Sequence, residues 1–210
     1  MNSASNVSVA GGYLNLTSRK EAAPFVCSSK SGSFTTQYTS GEALTFGKFS
    51  QMYGRFEIRA KFPAAKVAGL QESLWMYPTV LNKYGPWPLS GEIDIAEEYS
   101  ALADRAIPFV HYASGTDLNV TNNYCTIANV NAFHTYTLEW SASTIKISFD
   151  GKVCITDKPN PLAPMLWPAP FDQGFGLALT QGLGKGKNAF NAATTPLPAL
   201  TQVDYVRVWK

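Results

Sequence analysis

The segment Ser90-Gly91-Glu92-Ile93-Asp94-Ile95-Ala96-Glu97-Glu98-Tyr99 carries four carboxylates within seven residues, interleaved with Ile93 and Ile95. Cleaving a glycosidic bond needs such a set. One carboxylate must be ionised to attack the anomeric carbon, and one carboxylic acid must be protonated to release the leaving oxygen. Like charges held close together push one pKa up, which supplies that difference. Two other readings fit the same residues: an acidic surface strand, and a calcium site, since calcium also favours clustered carboxylates.

The elements that position these groups are strands. Alternation places Glu92 and Asp94 on one face and sends Ile93 and Ile95 into a core. A regular strand would then bury Glu97 among apolar side chains, which is costly for an unpaired acid. One extra residue, a β-bulge near Ile95-Ala96, returns Glu97 to the face of Glu92 and Asp94 and turns Glu98 towards a strand edge or solvent. Glu92 and Glu97 then lie about four strand steps apart, on the order of 13 Å between Cα atoms. Side chains leaning across Asp94 can approach the gap of about 5–5.5 Å that suits a nucleophile and an acid/base in a retaining glycosidase. In this arrangement Asp94 is expected to hydrogen-bond Glu92.

Similar segments recur along the chain, separated by Gly, Pro, Asn and Asp: residues 12–17, 54–62, 92–98, 108–112, 135–140, 144–149, 174–180 and 202–209. No long amphipathic helix interrupts them. This spacing predicts an antiparallel sandwich. Arg55, Glu57, Arg59 and Lys61 alternate with Phe56, Ile58, Ala60 and Phe62, a half-buried strand whose polar face either meets solvent or floors a cleft. Asp150-Gly151 reads as a type I′ hairpin turn that sets Phe149 opposite Lys152. Residues 159–170, with five prolines, and the glycine-rich 182–186 read as loops.

The 210 residues suit one domain spanning 1–210. Hydrophobic residues at 45% and charged residues at 15% exclude a disordered chain. Aromatics at 13% can fill a core or stack on sugar rings. A net charge of +2 without a Lys/Arg run gives no ground for a nucleic-acid partner or an anionic membrane surface. No apolar run approaches the roughly 20 residues that span a bilayer, and residues 1–6 lack the apolar stretch of a signal peptide. Cys27, Cys125 and Cys154 match no zinc pattern. Cys125 and Cys154 lie in segments that read as neighbouring strands, so they are expected to pair and leave Cys27 free.

Beyond these readings the chain resembles glycoside hydrolase family 16, especially its laminarinase-like branch. Glu-x-Asp-x-x-Glu in a bulged strand is that branch's signature, and residues 92–97 fit it. Tyr38-Thr39-Ser40-Gly41, residues 53–63, Trp87-Pro88 and His111-Tyr112 follow in family order. So do residues 133–140, Asp150-Gly151 and residues 203–209, so the similarity runs from about Tyr13 to Lys210. It implies an all-β jelly-roll sandwich of two antiparallel sheets with a concave carbohydrate-binding cleft. It also implies Glu92 as nucleophile, Asp94 as its helper and Glu97 as acid/base. Trp87 would stack on a sugar on the non-reducing side of the cut, and His111 would hydrogen-bond near Glu97 or the leaving sugar. Arg55, Trp75 and Gln181 are further candidate substrate contacts, although Arg55 equally suits a surface ion pair and Trp87 a core aromatic.

The chain departs from the family in three places. A strand usual ahead of the segment resembling 12–17 is expected to be absent, which leaves the structural-calcium site incomplete. A structural calcium of many relatives draws on that segment and on an Asp like Asp204. Gln71 stands where laminarinases tend to place an aromatic. Finally, Thr180-Gln181-Gly182-Leu183-Gly184-Lys185-Gly186 resembles an actinobacterial version of an otherwise Asn-rich stretch. The resemblance implies a secreted, monomeric endo-hydrolase of β-1,3- or mixed β-1,3/1,4-glucan that needs no catalytic cofactor and no catalytic metal. A β-galactan hydrolase or a transglycosylase of the same fold are the enzyme alternatives, and a glucan-recognition module the non-enzyme one.

Overall fold

The computed structural model describes residues 1–29, 32–114 and 119–210. Its strands are β1 (Val7–Ala10), β2 (Tyr13–Ser29), β3 (Gly32–Thr39), β4 (Gly41–Leu44), β5 (Gly54–Lys61), β6 (Leu70–Pro78) and β7 (Glu92–Tyr99), followed by β8 (Ile107–His111), β9 (Asn119–Thr121), β10 (His134–Trp140), β11 (Ile145–Phe149), β12 (Lys152–Asp157), β13 (Phe175–Leu183) and β14 (Ala199–Trp209). Helix among the described residues is confined to three single 3₁₀ turns.

The strands form two sheets, and every pairing between them is antiparallel. One sheet has the order β1-β2-β14-β5-β10-β11-β12, with β3 added beside β2. The other has the order β4-β13-β6-β7-β8-β9. Phe56, Ile58, Tyr136 and Leu138 of the first sheet meet Leu74, Met76, Ile93, Ile95 and Leu177 of the second in one core. Burying these side chains is the main favourable term holding the layers together. This is the jelly-roll sandwich.

The alternation of β5 resolves as a half-buried strand. Phe56, Ile58 and Ala60 are fully buried. Arg55 pairs with Glu57 at 2.6 Å, and Arg59 pairs with Asp204 at 2.5 Å while its guanidinium lies 4.6 Å from the Phe133 ring centre. That polar face is the outer surface of the first sheet, away from the acidic strand.

Two of the hairpins turn on glycine. Gly11 and Gly12 both take positive φ, and fold Val7–Ala10 back onto β2. A strand therefore precedes Tyr13, where the sequence reading placed none. Asp150 (φ 48°) and Gly151 (φ 78°) make the two-residue turn that sets Phe149 opposite Lys152. Cys154 on β12 is disulfide-bonded to Cys125 with Cα atoms 5.7 Å apart, and Cys27 is free and buried. Cys125 sits in the loop after β9, not in a strand. Asn122 ties that loop to β12 by donating from Nδ2 to the Cys154 carbonyl at 2.8 Å.

Candidate active site

β7 lies between β6 and β8 in the middle of the second sheet. Its register jumps twice at the same place. Asp94 pairs with Phe109 and Glu97 with Ile107, so three steps on β7 match two on β8. On the other side Trp75 pairs with Asp94 and Leu74 with Ala96, so two steps match one. One extra residue at Ile95-Ala96 accounts for both. Ile93, Ile95, Ala96 and Glu98 are buried, whereas Glu92, Glu97 and Tyr99 are partly accessible on the opposite face, with Asp94 between them.

The acids on this face line a cleft of about 250 Å³ together with Glu42, Gln71, Ser73, Trp75, Thr180 and Gly182. Glu92 accepts a hydrogen bond from Trp87 Nε1 at 2.6 Å. Burial pushes its pKa above the ordinary carboxylate range, and the negative charge of Glu97 adds to this. The Trp87 bond and the charge of His111 pull the other way. Asp94 is 3% exposed, and its Oδ2 lies 2.9 Å from His111 Nε2. Burial, with the charges of Glu92 and Glu97 adding to it, raises its pKa to about 8 against the opposing His111 bond. Glu97 Oε1 accepts from Gln71 Nε2 at 3.0 Å and Ser73 Oγ at 2.9 Å, and Tyr99 Oη donates to Oε2 at 2.5 Å.

Trp87 is half exposed at the Glu92 end, its ring centre 5.5 Å from that of His111. His111 stacks on Phe109 at 5.3 Å, and β8 sets it directly opposite Glu92. It therefore meets Asp94 at the Glu92 end of the strand, whereas a place near Glu97 or the leaving sugar was expected. Trp75 donates from Nε1 to Thr180 Oγ1 at 3.0 Å, and Thr180 donates on to Glu42 at 3.1 Å. Glu92, Asp94, Glu97, Trp87, His111 and Trp75 thus share one face of the sheet.

Three expectations are corrected. Gln181 is fully buried on the core side of β13, donating to Glu72 at 2.6 Å and accepting from Thr201 at 2.8 Å; its neighbours Thr180 and Gly182 face the cleft instead. Arg55 lies on the outer surface of the other sheet, paired with Glu57. Glu98 is 1% exposed and faces the core opposite Glu72, because the bulge that turns Glu97 outward turns its neighbour inward and β6 covers that side. The sequence reading also missed Glu42, Ser73 and Tyr99. Tyr99 had a signal, since it lies two residues beyond Glu97 in strand phase. Glu42 and Ser73 come from other strands and had none. Among the described residues no group of three or more His, Cys, Asp or Glu is placed to hold a metal ion.

Residues 1–180 match the model of a family described as glycosyl hydrolases family 16. The chain is 34% identical to the glucan endo-1,3-beta-glucosidase A1 of Niallia circulans over all of its own length and 31% of that relative. It is also 34% identical to the keratan-sulfate endo-1,4-beta-galactosidase of Sphingobacterium multivorum, over 82% of this chain and 40% of the relative. The chain thus spans 31% and 40% of the length of these two relatives. The laminarinase catalytic domain of Thermotoga maritima MSB8 superposes with a TM-score of 0.82 at 30% identity, covering all of this chain and 82% of that one.

Proposed function

The chain belongs to glycosyl hydrolases family 16, and from that premise we propose that it cuts β-1,3- or mixed β-1,3/1,4-linked glucan within the polymer by double displacement, with retention of configuration. The observation that carries this reading is the bulge at Ile95-Ala96, which puts Glu92, Asp94 and Glu97 on one open face with different partners. Glu92 is the nucleophile. The Trp87 N–H favours its ionised form, and burial strips it of water. Glu97 is the acid/base. It gives a proton to the leaving oxygen and later takes one from the water that hydrolyses the glycosyl–enzyme bond. Ser73 and Tyr99 suit that alternation, because a hydroxyl can donate to a carboxylate or accept from a carboxylic acid. Glu97 therefore keeps its partners in both states. Asp94, bound to His111, holds Glu92's surroundings in place. Trp87 offers a ring at the Glu92 end for a sugar to stack on. The route calls on no cofactor, and the enzyme works as a monomer. A disulfide-bonded fold and a polymeric substrate fit secretion.

The galactosidase relative supports a second reading, a β-galactan backbone. Release of reducing ends from laminarin, lichenan, galactan and agarose tests both at once. Activity on the first two supports the glucan reading, activity on the last two alone transfers the mechanism to galactan, and activity on none removes the enzyme. NMR of the first-formed product should show the β-anomer, and an α-anomer would exclude the double displacement.

A further inference from the structure

The cleft does not end at Glu97. Tyr99, which bonds Glu97 with its hydroxyl, also walls a neighbouring pocket of about 340 Å³, closed by Ala101, Leu102, Lys185, Lys187 and Asn188. The pocket lies beyond the Glu97 end of the acidic strand, opposite the Trp87 end. Its surface is almost wholly apolar, and the two exposed lysines stand at it.

The lysines sit on a loop that is held in place. Asn188 is buried, its Oδ1 accepting from the backbone N–H groups of Gly69 (3.4 Å) and Ala101 (3.0 Å) and its Nδ2 donating to the Leu70 carbonyl at 2.6 Å. These bonds pin the loop to the start of β6 and the end of β7. Gly184 lets the chain pass: a Cβ there would lie 1.9 Å from the Asn188 carbonyl oxygen. Gly186 takes φ +57°, which turns the chain between the two lysines.

Both lysines are exposed, and among the described residues neither is in an ion pair. Asp104, two residues beyond Leu102 in the chain, is held by both arms of Arg105. The cleft proper is lined by Glu42, Glu92, Asp94 and Glu97, without a Lys or Arg. An acidic polysaccharide would be repelled there unless cations met its charge. A neutral glucan asks for hydroxyl partners and stacking rings, not for two ammonium groups beside an apolar wall.

We infer that Lys185 and Lys187 form a subsite for a sugar carrying an anionic substituent, a sulfate ester or a carboxylate, on the leaving-group side of the scissile bond. This rests on the hydrolase reading and narrows its substrate to a polymer charged at least in part. The apolar wall strengthens the attraction by lowering the local dielectric, and salt weakens it.

The test compares laminarin, sulfated laminarin and carboxymethyl-laminarin by affinity electrophoresis. The wild type, Lys185→Gln/Lys187→Gln and Lys152→Gln/Lys158→Gln are run together, the last pair lowering net charge equally at a remote hairpin. The wild type should bind a charged polymer about three- to tenfold more tightly than laminarin at low salt. The Lys185/Lys187 variant should lose that ratio and the Lys152/Lys158 variant should keep it. Preference for the sulfated over the carboxymethylated polymer identifies the sulfate source, and the reverse identifies a uronate. A wild type that holds charged polymers no more tightly than laminarin overturns the subsite, and so does an equal loss in both variants. Hydrolysis of unmodified laminarin is scored separately, so failure of the hydrolase reading is not confused with failure of the subsite.

Discussion

Strands β6 and β7 carry carboxylates on both faces, and the two sets live under different rules. On the cleft face, Glu92 and Glu97 receive donors from Trp87, Gln71, Ser73 and Tyr99 beside an opening to water. On the core face, Glu72 and Glu98 are opposite one another, almost wholly buried, with one donor between them from Gln181. If both were ionised, Glu72 Oε2 and both oxygens of Glu98 would have no partner. Burial raises both pKa values, and Glu98 lifts that of Glu72 further, so the facing carboxyls favour holding a proton between them. The same residue type on the same strands is a reactive group on one side and a buried proton-sharing pair on the other. A single bulge residue decides which side Glu97 and Glu98 occupy.

Exchanging that assignment gives the largest effect. Glu97→Gln should lower kcat/KM by roughly 10²–10⁴ on a polymeric substrate whose leaving group needs a proton. Glu92→Gln should cost at least as much, because no covalent intermediate can form. Both variants should unfold like the wild type in circular dichroism. Glu98→Gln should retain turnover. A dead Glu98→Gln beside an active Glu97→Gln would place the bulge elsewhere.

The core pair should speak through stability. Glu98→Ala leaves Glu72 buried without its acceptor and should destabilise by about 3 kcal/mol in denaturant unfolding. The pH dependence has a definite sign. A carboxyl whose folded pKa lies above its unfolded value stabilises fully at acid pH, and that contribution is lost as pH rises through the folded pKa. The melting temperature of the wild type should therefore fall as pH rises above the ordinary glutamate range. Glu72→Gln supplies a permanent N–H donor to Glu98 in place of the shared proton and should flatten that fall. Some slope should remain, because Asp94 titrates in the same direction. An unchanged slope would mean that the pair holds no proton in the folded protein.

Some of this was legible in the sequence for a physical reason. In residues 92–97 carboxylates alternate with isoleucines, and the cost of burying Glu97 forced the bulge. The alternation of β5 was equally clear. What it did not reveal was which sheet would carry the cleft, so Arg55 was left open between a sugar contact and the surface ion pair it makes. Gln181 failed differently. Phe175-Gly176-Leu177-Ala178-Leu179 is apolar on both faces, so nothing in it says whether Thr180 or Gln181 points outward. After Leu70, β6 reads Gln71-Glu72-Ser73, a polar run that hides its phase, because the one charged residue in it is the buried one. The pairing of Glu72 with Glu98 is a cross-strand fact, 26 residues apart, that no local pattern announces.

Asp94 marks the boundary between the two regimes and gives the smallest and sharpest test. It lies on the cleft face, yet its carboxyl is buried like the core pair. Read as a third negative charge, it would hold the proton on Glu97 to higher pH, and Asp94→Asn would pull the alkaline limb of kcat/KM down. Its surroundings argue otherwise. Burial raises its pKa to about 8 in spite of the His111 bond, so below that pH the group is mostly neutral already. Asparagine then replaces one neutral, hydrogen-bonding side chain by another. The Asn Oδ1 can still accept from His111 when Nε2 carries the proton. The alkaline limb should therefore move by less than about half a pH unit, equivalent to under ~0.7 kcal/mol. The acidic limb, set by ionisation of Glu92, should lie above the ordinary glutamate range in both proteins, because burial is its first cause. Profiles of kcat/KM against pH on a soluble glucan for wild type and Asp94→Asn decide the matter. A clear fall of the alkaline limb in the variant would show that Asp94 is ionised at neutral pH. The His111 bond, and not burial, would then govern it.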